Sequence, residues 1–368
     1  MSKDYSKSEI PLVLKILFVF LTFIVCLLVF VLGVCFILLK GPSEKAKELF
    51  TLSCNETSAM KWVPGIFLSQ EEVNKIINPE SNPEDYEEGT YHISIVGDSI
   101  DVSFVTKDEE QLFEKIAIDS DGNFLEEGVI SIDEQDDISP EQTYELIDIR
   151  RSTFKGKLLL VHDPSKVVVA SIPSFGGVGW TLSEFLENYD ALACINAGGF
   201  EDENGKGKGG IPDGIVIRDG DIVYGSAGSS YRAVVGFDSD YRLHVGNMTG
   251  SQALSEGIVN GMNFSLGPVL IKDGERQSGF TSGINPRSAI GQSEDGTVIL
   301  LAVEGRMIDS LGATFEDITD IMEEYGAVNA SNLDGGSSSG MYYEGERITR
   351  SCSVIGDRPL PTAIIVLR

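Results

Sequence analysis

Apolar and polar positions follow three patterns along this chain of 368 residues, and each pattern predicts a different kind of element. The first is unbroken. From Ile16 to Leu39 the chain carries no charge and is almost wholly apolar over 24 consecutive positions, more than the roughly 20 that a helix needs to cross a hydrocarbon core. No small-x-small cleavage site closes the run, so it reads as an uncleaved signal anchor. The expectation is a cytoplasmic tail over residues 1–15, a membrane span over 16–39, and an extracytoplasmic remainder. A cleaved export signal would place the rest of the chain on the same side. Lys3, Lys7 and Lys15 precede the span while Lys40, Lys45 and Lys47 follow it, so the positive-inside rule does not decide the orientation.

Beyond the span, residues 40–62 read as a stalk and residues 63–144 as an acidic extension. Within the extension, Tyr91–Val96 and Ile100–Val105 alternate about Gly97-Asp98, which predicts a hairpin. From about residue 145 to 368 short apolar runs dominate, punctuated by glycine turns. Leu158–His162, Val167–Ala170, Ala191–Ile195, Val298–Ala302, Ala327–Ala330 and Thr362–Leu367 read as strands. Asp219-Gly220, Asp273-Gly274 and Asp295-Gly296 are hairpin turns of the kind that favour positive φ. Two helices interrupt them. Thr181-x-x-Glu184 caps Leu182–Tyr189, and Thr314-x-x-Asp317 opens a helix running to Tyr325 with Gly326 as its stop. Many hairpins with few helices predict an α+β domain, a mixed and largely antiparallel sheet with flanking helices.

Charge and cysteine content narrow the function classes. Net charge is −29, and 24 acidic residues between Glu71 and Asp148 face only Lys75, Lys107 and Lys115. Such a field disfavours nucleic acid as a partner. The part after Arg150 is nearer neutral and can accept an anionic ligand. Five cysteines, two of them inside the span, form no Cys-x-x-Cys or Cys/His spacing and no disulfide framework. His92, His162 and His244 are isolated and read as structural.

Four stretches combine a strand end, a turn and a polar group that has no evident structural role. They are Asn196-Ala197-Gly198-Gly199-Phe200, Pro286-Arg287-Ser288-Ala289-Ile290-Gly291, Val303-Glu304-Gly305-Arg306 and Asn332-Leu333-Asp334-Gly335-Gly336-Ser337-Ser338. Each alone reads equally well as a turn, a surface ion pair or a strand cap. In this order and together they resemble the phosphodiester glycosidase family over roughly residues 145–368. Three positions depart from the family's pattern: Ser288 for threonine, Glu304 for aspartate and Ser337 for a third glycine.

The resemblance implies hydrolysis of a sugar-1-phosphodiester at the anomeric carbon, within a cell-surface or exopolysaccharide glycan. On that reading Asp334 is the catalytic carboxylate and Glu304 its partner, since the chemistry needs a carboxylate to activate water or to attack C1. Arg287 and Arg306 would meet the phosphodiester with their planar forks. Asn196, Gly198, Gly199, Ser288, Asn332, Gly335, Gly336, Ser337 and Ser338 would line the substrate site. No cofactor is expected. Mg²⁺ or Ca²⁺ on Asp334, Glu304 and Asp309 would make a metal-assisted phosphoesterase instead, but no clear ligand motif supports it. A surface glycan-binding protein without turnover is the third reading. The expected partners are an anionic glycan and, through residues 16–39, the membrane; the residues leave oligomeric state open.

Overall fold

A computed structural model describes residues 12–57, 60–79, 91–96, 99–104, 143–202, 207–353 and 356–368. The chain divides into two compact units, one of residues 1–77 with 142–368 and the other of residues 78–141. In the second unit the described residues beyond Asn78 and Pro79 are two antiparallel strands, Tyr91–Val96 and Ser99–Phe104. These are the strands of the expected hairpin. Its Gly97-Asp98 turn, and residues 80–90 and 105–142 of the acidic extension, lie outside the described residues.

The larger unit begins with helix α1 (Leu12–Lys40), which is long and apolar enough to cross a membrane. Residues expected to form a stalk are instead partly helical. Helix α2 (Glu44–Asn55) starts at Ser43, whose hydroxyl accepts from the Ala46 N–H; helix α3 (Gln70–Ile77) follows. Leu39, Leu68 and Val73 form a small buried cluster where these helices meet.

Three antiparallel sheets make up the rest, and the pattern of apolar residues explains their layering. In order across the largest sheet the strands are Glu275–Arg276, Val269–Lys272, Ala327–Asn332, Arg287–Ser293, Val298–Val303, Lys155–Val161 and Tyr144–Arg150. The second sheet runs Glu346–Arg347, Met341–Tyr343, Ala191–Asn196, Thr362–Leu367 and Val167–Ser171. The third contains Leu243–Thr249, Ser230–Phe237, Asn260–Asn263, Val216–Arg218 and Asp221–Tyr224.

Successive strand residues point to opposite faces. Val298, Leu300 and Ala302 therefore enter a core shared by all three sheets, with Ile195, Val235 and Ile364 among its other members. Ile299, Leu301 and Val303 face the other way, onto helix α6 (Phe315–Glu324), against Ile318, Ile321 and Met322. Helix α4 (Leu182–Tyr189) covers the outer face of the second sheet in the same way, and the short helix α5 (Gly250–Ser255) covers the third. Strands covered on both faces read as continuous apolar runs, which is why Val298–Val303 shows no alternation. Both expected capping boxes form, Thr181 with Glu184 and Thr314 with Asp317.

Strand register brings the four sequence stretches to one end of this structure. Ala289 lies opposite Asn332, and Arg287 opposite Val303. Because neighbouring strands run antiparallel, Asp334, Pro286-Arg287 and Glu304-Gly305-Arg306 all emerge at one edge. The chain then crosses to the second sheet, where Met341 pairs with Ile195.

Candidate active site

The crossing loop, residues 333–340, is held by buried polar groups on both sheets. Asn196 is fully buried. Its Nδ2 donates to the Asp334 carbonyl (2.6 Å), and its Oδ1 accepts from Ser288 Oγ (2.7 Å) and the Gly340 N–H (3.1 Å). The backbone adds Asp334 N–H to the Ala197 carbonyl, Leu333 N–H to the Ser288 carbonyl and Gly336 N–H to the Pro286 carbonyl, each 2.8–2.9 Å. Asn196 and Ser288, expected as substrate contacts, here hold the loop through these bonds. A buried amide must find partners, and here the protein itself supplies them.

Gly198 and Gly199 are also packing positions. A Cβ at Gly198 would lie 2.9 Å from the Asn263 carbonyl, and one at Gly199 would lie 3.0 Å from the Phe264 ring. Gly336 adopts φ +62, the left-handed region open to glycine.

Asp334 sits half-buried at the head of the loop. Enclosure pushes its carboxyl up to about 6; the Ser338 hydroxyl, the Gly335 N–H and the charge of Arg358 oppose the rise, and Asp202 adds to it. The Gly335 N–H donates to Asp334 Oδ1 at 2.8 Å. Arg358 and Asp202 were not expected from sequence. They form a two-pronged ion pair, Nη1 to Oδ2 at 2.6 Å and Nη2 to Oδ1 at 2.7 Å, and the guanidinium lies 4.9 Å from the centre of the Phe200 ring. Arg358 holds the Asp202 carboxyl below its ordinary range. The signals available in sequence were the charge two residues beyond Phe200 and the Gly356-Asp357-Arg358-Pro359 turn before the last strand.

The two expected phosphate-binding arginines have different surroundings. Arg306 is exposed, and its backbone has φ +59, a sparsely populated conformation that is found at functional sites. Its guanidinium packs over the glycine loop, 3.3 Å from where a Cβ on Gly336 would be, and donates to Asn285 Oδ1 (3.0 Å) and Thr57 Oγ1 (2.9 Å).

Arg287, in contrast, is enclosed and already partnered. Its Nη2 donates to Glu56 Oε2 (2.6 Å) and the Gly283 carbonyl (2.8 Å), its Nε donates to the Ala313 carbonyl (3.2 Å), and its guanidinium stacks 4.1 Å from the Phe315 ring centre. Burial draws the guanidinium down, and the Glu56 carboxylate opposes that. The remaining Glu56 oxygen accepts from the Gly283 N–H at 2.7 Å.

Glu304, expected as the partner of Asp334, is held by Arg350. Its Oε2 binds Arg350 Nη2 at 2.6 Å and its Oε1 accepts from the Arg350 N–H at 2.8 Å. Asp309 meets the same guanidinium at 3.0 Å and Lys155 at 2.8 Å. Two of the three carboxylates considered as metal ligands thus converge on an arginine. Among the described residues no group of three or more His, Cys, Asp and Glu side chains is placed to hold a metal ion. His162 meets Thr297 and His244 meets Asp238, as structural histidines do.

Two buried acceptors beside the loop, Asn332 Oδ1 and Ser339 Oγ, have no hydrogen-bond partner among the described residues. Buried orphans of this kind are commonly satisfied by water or ligand. The site therefore offers a carboxylate with a raised pKa, a glycine loop rich in N–H and O–H donors, two cations, and unsatisfied polar atoms in its wall. That is a composition suited to an anionic, hydroxyl-bearing ligand.

Known proteins resemble parts of this chain in sequence and in fold. The phosphodiester glycosidase family profile matches residues 189–367. The SPbeta prophage-derived uncharacterized protein YomE of Bacillus subtilis (strain 168) is 34% identical over 178 residues, 46% of this chain and 27% of that protein. The chain thus matches about a quarter of that relative's length. The zebrafish N-acetylglucosamine-1-phosphodiester alpha-N-acetylglucosaminidase catalytic domain, solved as a form auto-inhibited by its pro-peptide, has a similar fold. Its TM-score is 0.50 and its identity 22%, covering 62% of this chain and 85% of that one. A hypothetical protein from Synechocystis superposes with TM-score 0.49 at 18% identity, over 61% and 62% of the two chains.

Proposed function

Residues 189–367 belong to the phosphodiester glycosidase family, and from that premise we propose that the chain hydrolyses a sugar-1-phosphodiester in a cell-surface or exopolysaccharide glycan. In the proposed reaction the Asp334 carboxylate takes a proton from water as the water oxygen bonds to the anomeric carbon. The bond from that carbon to the phosphate oxygen breaks, and the phosphomonoester leaves with the electron pair. A carboxyl titrating near 6 is ionised at neutral pH and basic enough for this role. Phosphate is a good leaving group, so neutralising its charge matters more than protonating it. Arg306 over Gly336 is the residue suited to that, with Arg358, whose charge acts on Asp334, as a second cation. Gly335-Gly336 and the Ser337 and Ser338 hydroxyls form the donor-rich floor. Arg287 takes a structural role through Glu56, and Glu304 one through Arg350.

The observation that carries this reading is the enclosure of Asp334 in a loop that two arginines approach. Turnover of a model sugar-1-phosphodiester in isotope-labelled water tests it. Label in the released sugar is expected. Label in the phosphate would mean P–O cleavage by a phosphoesterase, and binding without turnover would mean a glycan-binding protein.

The same proposal keeps α1 as a retained anchor with the catalytic domain outside the cytoplasm. The protein is then expected to resist extraction from membranes at alkaline pH, and the domain to be digested by protease added to intact cells. Release by the alkaline wash would mean that α1 is a removed signal.

A further inference from the structure

The apolar surface around residues 60–66 gives this site a setting. The uncharged part of α1 is 24 residues long, about 36 Å at the helical rise of roughly 1.5 Å per residue, against about 30 Å of hydrocarbon. Its last turn therefore reaches the interfacial zone. There Phe36 meets Phe67 edge to face with centroids 6.0 Å apart, Leu39 is sealed against Leu68 and Val73, and Lys40 pairs with Glu72. The segment leading into Phe67 and Leu68 is anchored beside that turn. It exposes large apolar side chains: Trp62 at 67%, Ile66 at 49% and Met60 at 41%.

This segment is tied to the catalytic domain rather than tethered loosely. Met60 N–H donates to the Thr57 carbonyl (2.8 Å), and Thr57 Oγ1 accepts from Arg306. A Cβ on Gly283 would strike the Ser53 backbone at 2.2 Å, so α2 packs directly on the loop that leads to Arg287. On the turn after Arg306, Ile308 is fully exposed and Leu311 half so. Tryptophan with aliphatic neighbours is the composition of a membrane–water interface.

We infer that Met60, Trp62, Ile66 and Ile308 rest in the headgroup region of the bilayer, so that the Asp334 site opens at the membrane surface and takes a sugar-1-phosphodiester whose other ester partner is a lipid. The substrate class rests on the activity proposed above; the docking rests on α1 staying in the bilayer.

The experiment uses the full chain in phosphatidylcholine–phosphatidylglycerol nanodiscs. With Trp180→Phe, Trp62 is the remaining tryptophan of two. Acyl chains brominated near the headgroup are expected to remove more than about half of its emission, as for an interfacial tryptophan, and aqueous iodide to remove far less. Equal quenching by iodide in nanodiscs and in lipid-free detergent overturns the docking. So does resistance to both quenchers, which would mean that a second copy of the chain covers the patch. Failure of the chain to enter nanodiscs overturns it as well.

The triple variant Met60→Glu, Ile66→Glu, Ile308→Glu is expected to lower kcat/KM on a lipid-linked sugar phosphodiester in nanodiscs by about tenfold or more, and to leave a water-soluble one unchanged. Equal rates for wild type and variant on the lipid-linked substrate overturn the substrate class. If neither substrate is hydrolysed by wild type, the catalytic reading fails and the substrate class with it, while the fluorescence still decides the docking.

Discussion

The carboxylate of Glu56 closes on the guanidinium of Arg287 at 2.6 Å, although 231 positions separate them in the chain. Arg287 is 7% exposed at its side chain and Glu56 25%, so the pair is largely withdrawn from water. Removing one member of such a pair leaves an uncompensated buried charge, at a cost of about 3–5 kcal/mol. Glu56→Ala is expected to lose about 3 kcal/mol and to melt several degrees lower. The double change Glu56→Ala with Arg287→Met should recover part of that loss, because an apolar side chain keeps the stacking on Phe315 without a stranded charge. Thermal unfolding of Glu56→Ala, Arg287→Met and the double variant measures this, and additive losses would refute a coupled pair.

Asp334 gives a prediction in two directions. As the proton acceptor its replacement by asparagine should cut kcat by about 10²–10⁴-fold, and the acid limb of kcat/KM in the wild type should have its midpoint near pH 6. Stability should change the opposite way. The folded carboxyl titrates at about 6 against an ordinary 3.8, so the folded state binds more protons than the unfolded one between those values. Wild-type stability therefore falls as pH rises through that window. Asp334→Asn should match the wild type at pH 3.5 and be the more stable protein at pH 7.5. Chemical denaturation at the two pH values checks the sign.

Much of the fold is legible in the sequence because short apolar runs, Asp-Gly turns and capping boxes act locally. The Thr181–Glu184 and Thr314–Asp317 boxes mark the starts of α4 and α6, and the strand ends bearing Asn196, Arg287, Arg306 and Asp334 stand out in the residue pattern itself. The roles of the polar residues are harder to read. Asparagine and serine types announce a need for hydrogen bonds, but the need of Asn196 is met by Ser288, Gly340 and Asp334, which only the pairing of two sheets brings near. Arginine at 287 announces an anion, and that anion proves to be Glu56, beside a helix where the residue pattern suggests a stalk. Arg358 is signalled only by its Gly356–Pro359 turn, which marks a strand entrance and does not name Asp334 as its neighbour.

Asn196→Ala separates a staple from a substrate contact. Three hydrogen bonds at about 1 kcal/mol each vanish, and the Gly340 N–H and Asp334 carbonyl are left buried and unpaired. A stability loss of about 3 kcal/mol is expected, together with reduced activity as the loop loosens. A residue that only touched substrate would lower activity at unchanged melting temperature, and that outcome would return Asn196 to the substrate-binding set.

Arg306 allows activity to be separated from backbone strain. Its φ of +59 costs a non-glycine residue about 1 kcal/mol, which glycine escapes. Arg306→Gly therefore recovers the backbone term while losing exposed hydrogen bonds to Asn285 and Thr57, and the two changes should nearly cancel. Arg306→Ala keeps the strain and loses the same bonds, so it should be the less stable of the two. Both remove the guanidinium that packs over Gly336, so both should lower kcat/KM on a sugar phosphodiester by about 10²-fold, as loss of one transition-state donor does. Arg306→Lys keeps the charge without the planar fork and should fall between them and the wild type. If the glycine variant is as active as the wild type, Arg306 does not meet the phosphate, and Arg358, whose charge acts on Asp334, is left as the candidate cation.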